Sequence, residues 1–366
     1  MDGRLKFRII VLLIALPAFM FVCLVEKIEV NWAKCSSTGT RMLIPEVQPN
    51  SNAKTVYSAD ANQHNINISS HKIIETPNVS DSPVYLIYDF DHGRGLGNCL
   101  FRLASIYGIA RAGGHTPVFR YHSKILDYFD VSWPRPSNFD DVIFDEMKTQ
   151  FGGGAEFSHK YFIEARETKD SLNLKGYYQS WKYFQNYSAD VRAMLTFKKH
   201  IADAARRYLD ELRQRHAAHT DTSPLLIGVH VRRGDIADAS AGFNKVGYTT
   251  PTAKYYTKAM TYFKDIFAGK SLIFVVCTND ANWTREHLSS VSGLHIAITQ
   301  NDQGLDLAIL SQCDHVIMSV GTFSWWAAWL ANGVTIYYDL WPTPGSWLDR
   351  KTKREDYFMP YWIPLH

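Results

Sequence analysis

"PLLIGVHVRRGD", residues 224–235, runs an apolar segment directly into a histidine, two adjacent arginines and an aspartate. The uncharged stretch 225–231, rich in Leu, Ile and Val, predicts a buried central strand. The pattern recurs downstream. Strands are expected at "SLIFVVC" (271–277), "LHIAI" (294–298), "HVIMS" (315–319) and "VTIYYD" (334–339). Between them fall helices from about Thr252, from about Ala281, at "LDLAILSQC" and at "FSWWAAWLAN". Repeated strand–helix alternation implies a largely parallel sheet covered on both faces. Ligands bind such sheets at the C-terminal ends of the strands. Arg232, Arg233 and Asp235 therefore emerge at the functional edge. Neighbouring guanidiniums there suit a diphosphate, because each offers forked donors and stays charged. A structural Arg–Asp ion pair at a strand end is the other reading, and this segment alone does not choose between them.

Upstream, "VYLIYDF" (84–90) reads as a strand, the glycine-punctuated "DHGRGLGN" as a loop, and "CLFRLASIYGIARAG" as a helix, with "TPVFR" a following strand. Ser188 is expected to cap one long helix through about His216, with Val191, Leu195, Ile201, Ala205 and Leu209 as its apolar stripe. "HAAHTDTSP" looks like a boundary. The reading is α/β, with two lobes divided into residues 83–220 and 221–366, the second Rossmann-like, and a cleft between them.

Residues 9–25, "IIVLLIALPAFMFVCLV", carry no charge and follow Arg4, Lys6 and Arg8. That predicts a transmembrane signal-anchor behind a cytoplasmic tail, residues 1–8, with the remainder lumenal as a single-pass type II protein. At ~1.5 Å per residue the span reaches about 25 Å, which suits the thinner membranes of the early secretory pathway. A cleaved signal peptide is the rival, but "EKIEVNWAKC" offers no Ala-x-Ala site. Residues 26–82, rich in Asn and Ser, read as a flexible stem. Sequons at Asn67, Asn78, Asn186 and Asn282 fit lumenal exposure. Outside the span, Cys35, Cys99, Cys277 and Cys313 allow three complete pairings, or none.

A formal net charge of +3 over 366 residues is too small to argue for nucleic acid as a partner. No C-x-x-C or His/Cys cluster points to zinc. The 10 Trp and 20 Tyr could stack on sugar rings or fill cores, and core is the default for any one of them.

Further candidates sit at other strand ends. "SVGTFSWW" (319–326) places Gly321, Thr322 and Ser324 at a helix start, where N–H groups and hydroxyls form either an anion site or a simple cap. Asp306 at the start of "DLAILSQC" could accept from a guanine edge, although a helix cap is the default. Asn279 and Asp280 in "TNDANW" read as a turn. "HGRGLGN" is anion-friendly but lacks the dinucleotide spacing G-x-G-x-x-G. "DFD", Asp89 to Asp91, could hold a divalent cation against a nucleotide diphosphate, yet the paired arginines already supply positive charge.

Four collinear blocks carry a resemblance. "GRGLGNCLF" is similar to a G-R-x-G-N-Q start, "GYYQSWKYF" (176–184) to G-Y-x-Q-S-W-K-Y-F, "HVRRGD" to H-x-R-R-x-D, and "DLAILSQCDHVIMSVGTFSWWAAWL" to a near-C-terminal block. From about Tyr85 onward the chain resembles the galactoside α1,2-fucosyltransferase family, related to α1,6- and protein O-fucosyltransferases. The resemblance implies a two-lobed GT-B-like fold, GDP-fucose as donor, inversion at the anomeric carbon, and neither cofactor nor metal. Its expected acceptor is the 2-hydroxyl of galactose on a glycoprotein or glycolipid glycan, and its expected location is the Golgi membrane.

Carried over by residue, Arg232 contacts the diphosphate with Arg233 beside it, while His230 and Asp306 sit near guanine or ribose. Thr322 and Ser324 hold phosphate oxygens. Asn98 lines the cleft from the first lobe, with Arg94 and Asp91 on the acceptor side. Asp235 is base or brace, and a carboxylate beside two guanidiniums is a poor proton acceptor. Departures are the extra residue between Arg94 and "LGN", and Cys99 where Gln is usual. A Golgi sulfotransferase, a non-catalytic glycan-binding relative and an adhesion ligand reading Arg233-Gly234-Asp235 are the alternatives. "HGRGLGN" lacks the Lys or Ser that a phosphosulfate loop wants, and the tripeptide follows directly on a buried strand rather than at a loop tip.

Overall fold

The computed structural model describes residues 84–88, 95–119, 124–131, 148–151, 154–217, 223–297 and 302–366. Strands β1 (Tyr85–Tyr88), β2 (Thr116–Phe119), β3 (Lys148–Phe151) and β4 (Leu172–Lys175) form one sheet in the order β2-β1-β4-β3. A second sheet, in the order β10-β9-β8-β5-β6-β7, contains β5 (Leu225–Val231), β6 (Leu272–Thr278), β7 (Leu294–Ile296), β8 (His315–Ile317), β9 (Thr335–Tyr338) and β10 (Ile363–Leu365). Every ladder among them is parallel. β5 occupies the residues expected of it. Its buried Leu226, Ile227, Val229 and Val231 are flanked on both sides, by β8 and β6.

The longer helices are α1 (Leu96–Gly113), α2 (Lys160–Glu167), α3 (Ser188–Met194), α4 (Lys199–Ala217), α5 (Ala253–Ile266), α6 (Ala281–Leu288), α7 (Gln303–Ser311) and α8 (Thr322–Ala331). The single long helix expected from Ser188 is instead two, α3 and α4. Residues 196–198 are drawn away to pair with 128–130: Asp130 N donates to Thr196 O at 2.9 Å and Lys198 N to Tyr128 O at 2.8 Å. With those backbone groups committed, the i→i−4 ladder breaks there. Nor does Ser188 cap: its hydroxyl donates backwards to Gln185 O at 2.8 Å.

α4 buries Ile201, Ala205, Leu209 and Leu212, a stripe at helical spacing, against α7. Packing therefore places this helix on the six-stranded sheet, although it precedes residue 220. The C-terminal segment returns the other way. Lys353 N donates to Ala155 O at 3.0 Å, and Phe157 N donates to Asp356 Oδ2 at 2.8 Å.

The aromatic residues fill the seam between the sheets. Trp325 and Trp326 of α8 are fully buried against Phe101 of α1, with ring centroids 4.4 and 5.2 Å away. Trp325 Nε1 donates to Tyr357 O at 2.7 Å, so the indole N–H is satisfied inside the core. Cys277 and Cys313 are buried free thiols. Each complete pairing of the four candidate cysteines needs both, so none of the three forms.

Among the described residues no helix is long and apolar enough to cross a membrane. The expected span 9–25, the stem, Asn67, Asn78, Asp91 and Arg94 all lie outside the described residues. Asn186 and Asn282 are exposed.

Candidate active site

The second sheet is built outward from β5: β6 and β7 extend one way, and the chain then returns to lay β8 on the other side. Strand order reverses between β5 and β8, and a crevice opens at such a point beyond the strands' carboxyl ends. Arg232 leaves β5 there, and residues 319–322 leave β8. The two loops are tied together. Arg232 N donates to Ser319 Oγ at 3.1 Å, while the buried Tyr256 hydroxyl lies 3.1 Å from Ser319 Oγ and 3.2 Å from His230 O.

The paired arginines have different surroundings. Arg232 donates from Nη2 to Asp235 Oδ1 at 2.6 Å, and its side chain keeps 37% of its surface. Its other guanidinium N–H groups have no protein partner among the described residues. Arg233 is anchored: its guanidinium carbon sits 4.1 Å from the Trp283 ring centroid, Nε is 3.5 Å from Asp280 Oδ2, and Nη1 donates to Thr250 Oγ1 at 3.3 Å. Its backbone N–H donates to Asn279 Oδ1 at 2.8 Å. Asn279 and Asp280 thus do more than close a turn, and Asp280 also caps α6 by accepting from Trp283 N at 3.1 Å. Of the two, Arg232 is the one available to an incoming anion. Asp235 braces it from the exposed side, and an Arg-Gly-Asp tripeptide whose arginine lies flat on a tryptophan is not a protruding adhesion loop.

His230 and Ser324 do not face the crevice as expected. The His230 ring is buried, with Nδ1 2.5 Å from Ser324 Oγ, and Ser324 Oγ accepts from Ser319 N at 3.1 Å. Burial, and secondarily the Arg232 charge, push the His230 pKa down to about 3, so the imidazole is neutral. Ser324 is the third residue of α8, and the helix turns it inward onto β5. These two side chains fix the β8–α8 loop. The α8 N-terminus itself stays open. Its cap is Gly321 at φ 84°, a conformation that favours glycine, with no side-chain cap. Thr322 is half-buried beside it.

Asp306 is not the helix cap that its position suggested. Asp302 caps α7, its Oδ1 accepting from Gly304 N at 2.8 Å and Leu305 N at 3.1 Å. Asp306 lies one turn on, its carbonyl 3.8 Å from Cys277 Sγ at the end of β6.

The first sheet also changes direction beside β1: β2 lies on one side, and the chain then crosses to β3 at the far edge and lays β4 against β1 on the other. Asn98 begins α1 after β1, and Gln179 follows β4. Asn98 Oδ1 accepts from Gln179 Nε2 at 2.9 Å and from Thr322 Oγ1 at 2.8 Å. Both crevices therefore meet at one carboxamide. The starts of α1 and α8 touch, because Gly97 has no side chain: a Cβ there would lie 2.6 Å from Phe323 N and 2.7 Å from Thr322 Oγ1. Like α8, α1 begins at an uncapped glycine, Gly95. Two helix N-termini and Arg232 converge, an arrangement that favours an anionic ligand. Among the described residues no group of three or more His, Cys, Asp or Glu could hold a metal ion.

The family model described as glycosyl transferase family 11 matches residues 122–366, more than half of the chain. The chain belongs to this family. Galactoside alpha-(1,2)-fucosyltransferase 1 of Homo sapiens is 32% identical over 76% of this chain and 74% of its own length. Galactoside alpha-(1,2)-fucosyltransferase 2 of Bos taurus is 27% identical over 74% of this chain and 76% of its own. A solved structure of the fucosyltransferase NodZ from Bradyrhizobium aligns with a TM-score of 0.41 at 15% identity, covering 67% of this chain and 93% of that one.

The points where the two sheets reverse are the candidate site of this family 11 member. Ser319, Gln179, Tyr256 and Gly97 were not read as site residues from the sequence. Gln179 carries a signal, since it stands in the "GYYQSWKYF" block. Ser319 and Tyr256 had none, because their roles depend on which loops the sheet order brings together.

Proposed function

We propose that this chain is a galactoside α1,2-fucosyltransferase, which moves L-fucose from GDP-β-L-fucose to the 2-hydroxyl of a galactose with inversion. Family 11 membership and the names of its relatives support the activity. The observation that carries the site is the convergence of Arg232, Thr322 and the starts of α1 and α8 at the two crevices. A diphosphate fits it.

In this reading the acceptor hydroxyl attacks the anomeric carbon while the bond to the β-phosphate oxygen breaks. Positive charge grows on the sugar ring and negative charge on the departing phosphate. Arg232 and the open N-terminus of α8 meet that negative charge with donors already in place, the arrangement that lowers such barriers most. Arg233 keeps the strand end rigid. Asp235 orients Arg232 rather than accepting the acceptor's proton, because its carboxylate is already paired at 2.6 Å.

The proposal includes a GT-B-like pair of lobes and metal-independent turnover, since guanidinium and helix charge do the work that a cation would otherwise do. It also includes a type II Golgi location, supported by the uncharged 9–25 stretch behind a basic tail. The test is incubation of the full-length chain with GDP-fucose and a panel of galactose-terminated glycans, with and without EDTA, followed by linkage analysis of the product. Fucose on the galactose 2-hydroxyl in both conditions is expected. A product linked elsewhere, or activity lost with EDTA and restored by a divalent cation, refutes the corresponding part.

A further inference from the structure

We infer that Gln179 is a positioning residue for the transfer reaction, acting through the Asn98 carboxamide; the inference rests on the fucosyltransferase reading above. Four observations meet at this residue. It follows β4, the strand laid against β1 on the chain's return, as residues 319–322 follow β8 beside β5 in the second sheet. Its Nε2 donates to Asn98 Oδ1 at 2.9 Å, and the same oxygen accepts from Thr322 Oγ1 at 2.8 Å. An amide oxygen has two lone pairs, so both are now occupied. A planar carboxamide held at its oxygen from two sides has its orientation set, and its Nδ2 donors have no protein partner among the described residues.

The backbone behind Gln179 is held in an uncommon shape. Tyr178, fully buried, has φ 48°, one of two non-glycine residues with positive φ among the described residues. Such a conformation is strained and persists only where the surroundings enforce it. Here they do. Ser105 Oγ of α1 donates to Tyr178 O at 2.7 Å, Gln179 N donates to Gly154 O at 3.0 Å, and Ser180 Oγ donates to Asp356 O at 2.6 Å. Three separate segments hold the turn, and its product is the direction of the Gln179 side chain.

The chemistry follows from what that direction does. Gln179 gives its donor to the oxygen of Asn98, leaving the Asn98 N–H groups to face the crevice beside Thr322. Donors there meet the phosphate oxygen that gains charge as GDP departs. Without the Gln179 amide, Asn98 Oδ1 keeps only the Thr322 bond and the carboxamide is free to turn. Misplacing a group that acts in the transition state costs rate rather than ground-state binding.

The test is a double-mutant cycle in the full-length chain, using Gln179→Met, which keeps length and removes the amide, with Asn98→Ala and the double variant. Turnover of labelled GDP-fucose is read under single-turnover conditions. Gln179→Met is expected to lower kcat about 10–10²-fold, with KM for GDP-fucose and the melting temperature nearly unchanged. The double variant is expected to be no slower than Asn98→Ala, because Gln179 acts only through Asn98. Gln179→Glu, which offers an acceptor where Asn98 Oδ1 needs a donor, should be at least as slow as Gln179→Met. Wild-type kcat in Gln179→Met, or multiplicative losses in the double variant, overturns the inference. A crystal structure of Gln179→Met in which the Asn98 carboxamide keeps its wild-type orientation overturns it independently of activity. A wild-type chain that neither binds GDP nor turns over GDP-fucose instead refutes the underlying function, and the inference falls with it.

Discussion

Asn98 Oδ1 and Thr322 Oγ1 lie 2.8 Å apart, joining the first turn of α1 to the first turn of α8 across the seam between the two sheets. That approach depends on Gly97, where a Cβ would stand 2.6 Å from both Phe323 N and Thr322 C. These are backbone atoms, so no side chain can swing aside. Gly97→Ala is expected to separate the helix starts and cost about 1–3 kcal/mol of stability, the usual cost of overpacking. Turnover should fall further than stability predicts, because Asn98 and Thr322 lose their common geometry. Thermal melts paired with kcat measurements check this; wild-type behaviour in both would show that the seam is not closely packed.

Arg232 and Arg233 are expected to separate in their effects. Arg232→Ala removes a donor aimed at the departing phosphate and should lower turnover about 10²–10³-fold with little change in melting temperature. Arg232→Lys should restore little, since an ammonium cannot reproduce the fork that reaches both Asp235 and the ligand. Arg233→Ala strips the cation from Trp283 and leaves Asp280 without its ion pair. Its loss should appear first as about 1–3 kcal/mol of stability. Urea unfolding and initial rates on the two variants decide the matter, and equal loss of turnover without destabilisation would make Arg233 a ligand contact after all.

That separation was within reach of the sequence. Successive residues of an extended chain point to opposite sides, so two adjacent arginines leaving a strand set out in different directions. β5 was legible because seven residues of Leu, Ile, Val, Gly and His have no other home than a sheet interior. β4, only four residues long, and β10, which contains Pro364, were not. Asn173 interrupts the apolar run of β4, and Pro364 that of β10. Ser324 and His230 are buried for a reason that the sequence did not show. Their residue types suit a ligand, but the rotation of α8 about its axis, set by Trp325 and Trp326 entering the core, turns Ser324 inward. The meeting of Gln179 with Asn98, 81 positions apart, depends on sheet order alone.

Cys277 and Cys313 are expected to resist alkylation in the native state. Both are buried, and burial pushes their thiols well above the ordinary range, so almost no thiolate exists at neutral pH. Cys277 also lies near the Asp306 carboxylate, which disfavours its ionised form further. Iodoacetamide followed by mass spectrometry should label neither until denaturant is added. Rapid native labelling of either would mean that the β5–β6 core opens readily.

Mild acid is expected to weaken the fold through His230. Its imidazole is buried neutral with a pKa of about 3, whereas an unfolded histidine titrates near ~6.5. Between those values the unfolded chain holds a proton that the folded chain refuses. Stability therefore falls as pH drops from about 6.5 towards 3, by up to about 1.4 kcal/mol per unit, and the native imidazole protonates only below that window. His295 and His315 are shifted downward by burial as well, so the slope of the whole protein includes all three. His230→Asn isolates one of them. The amide can still reach Ser324 but has no proton to gain, so this variant should lose less stability than the wild type between pH 7 and pH 5. Urea unfolding at the two pH values measures the difference. Parallel losses in both proteins would show that the folded His230 takes up a proton as readily as the unfolded one, so that burial does not depress its pKa.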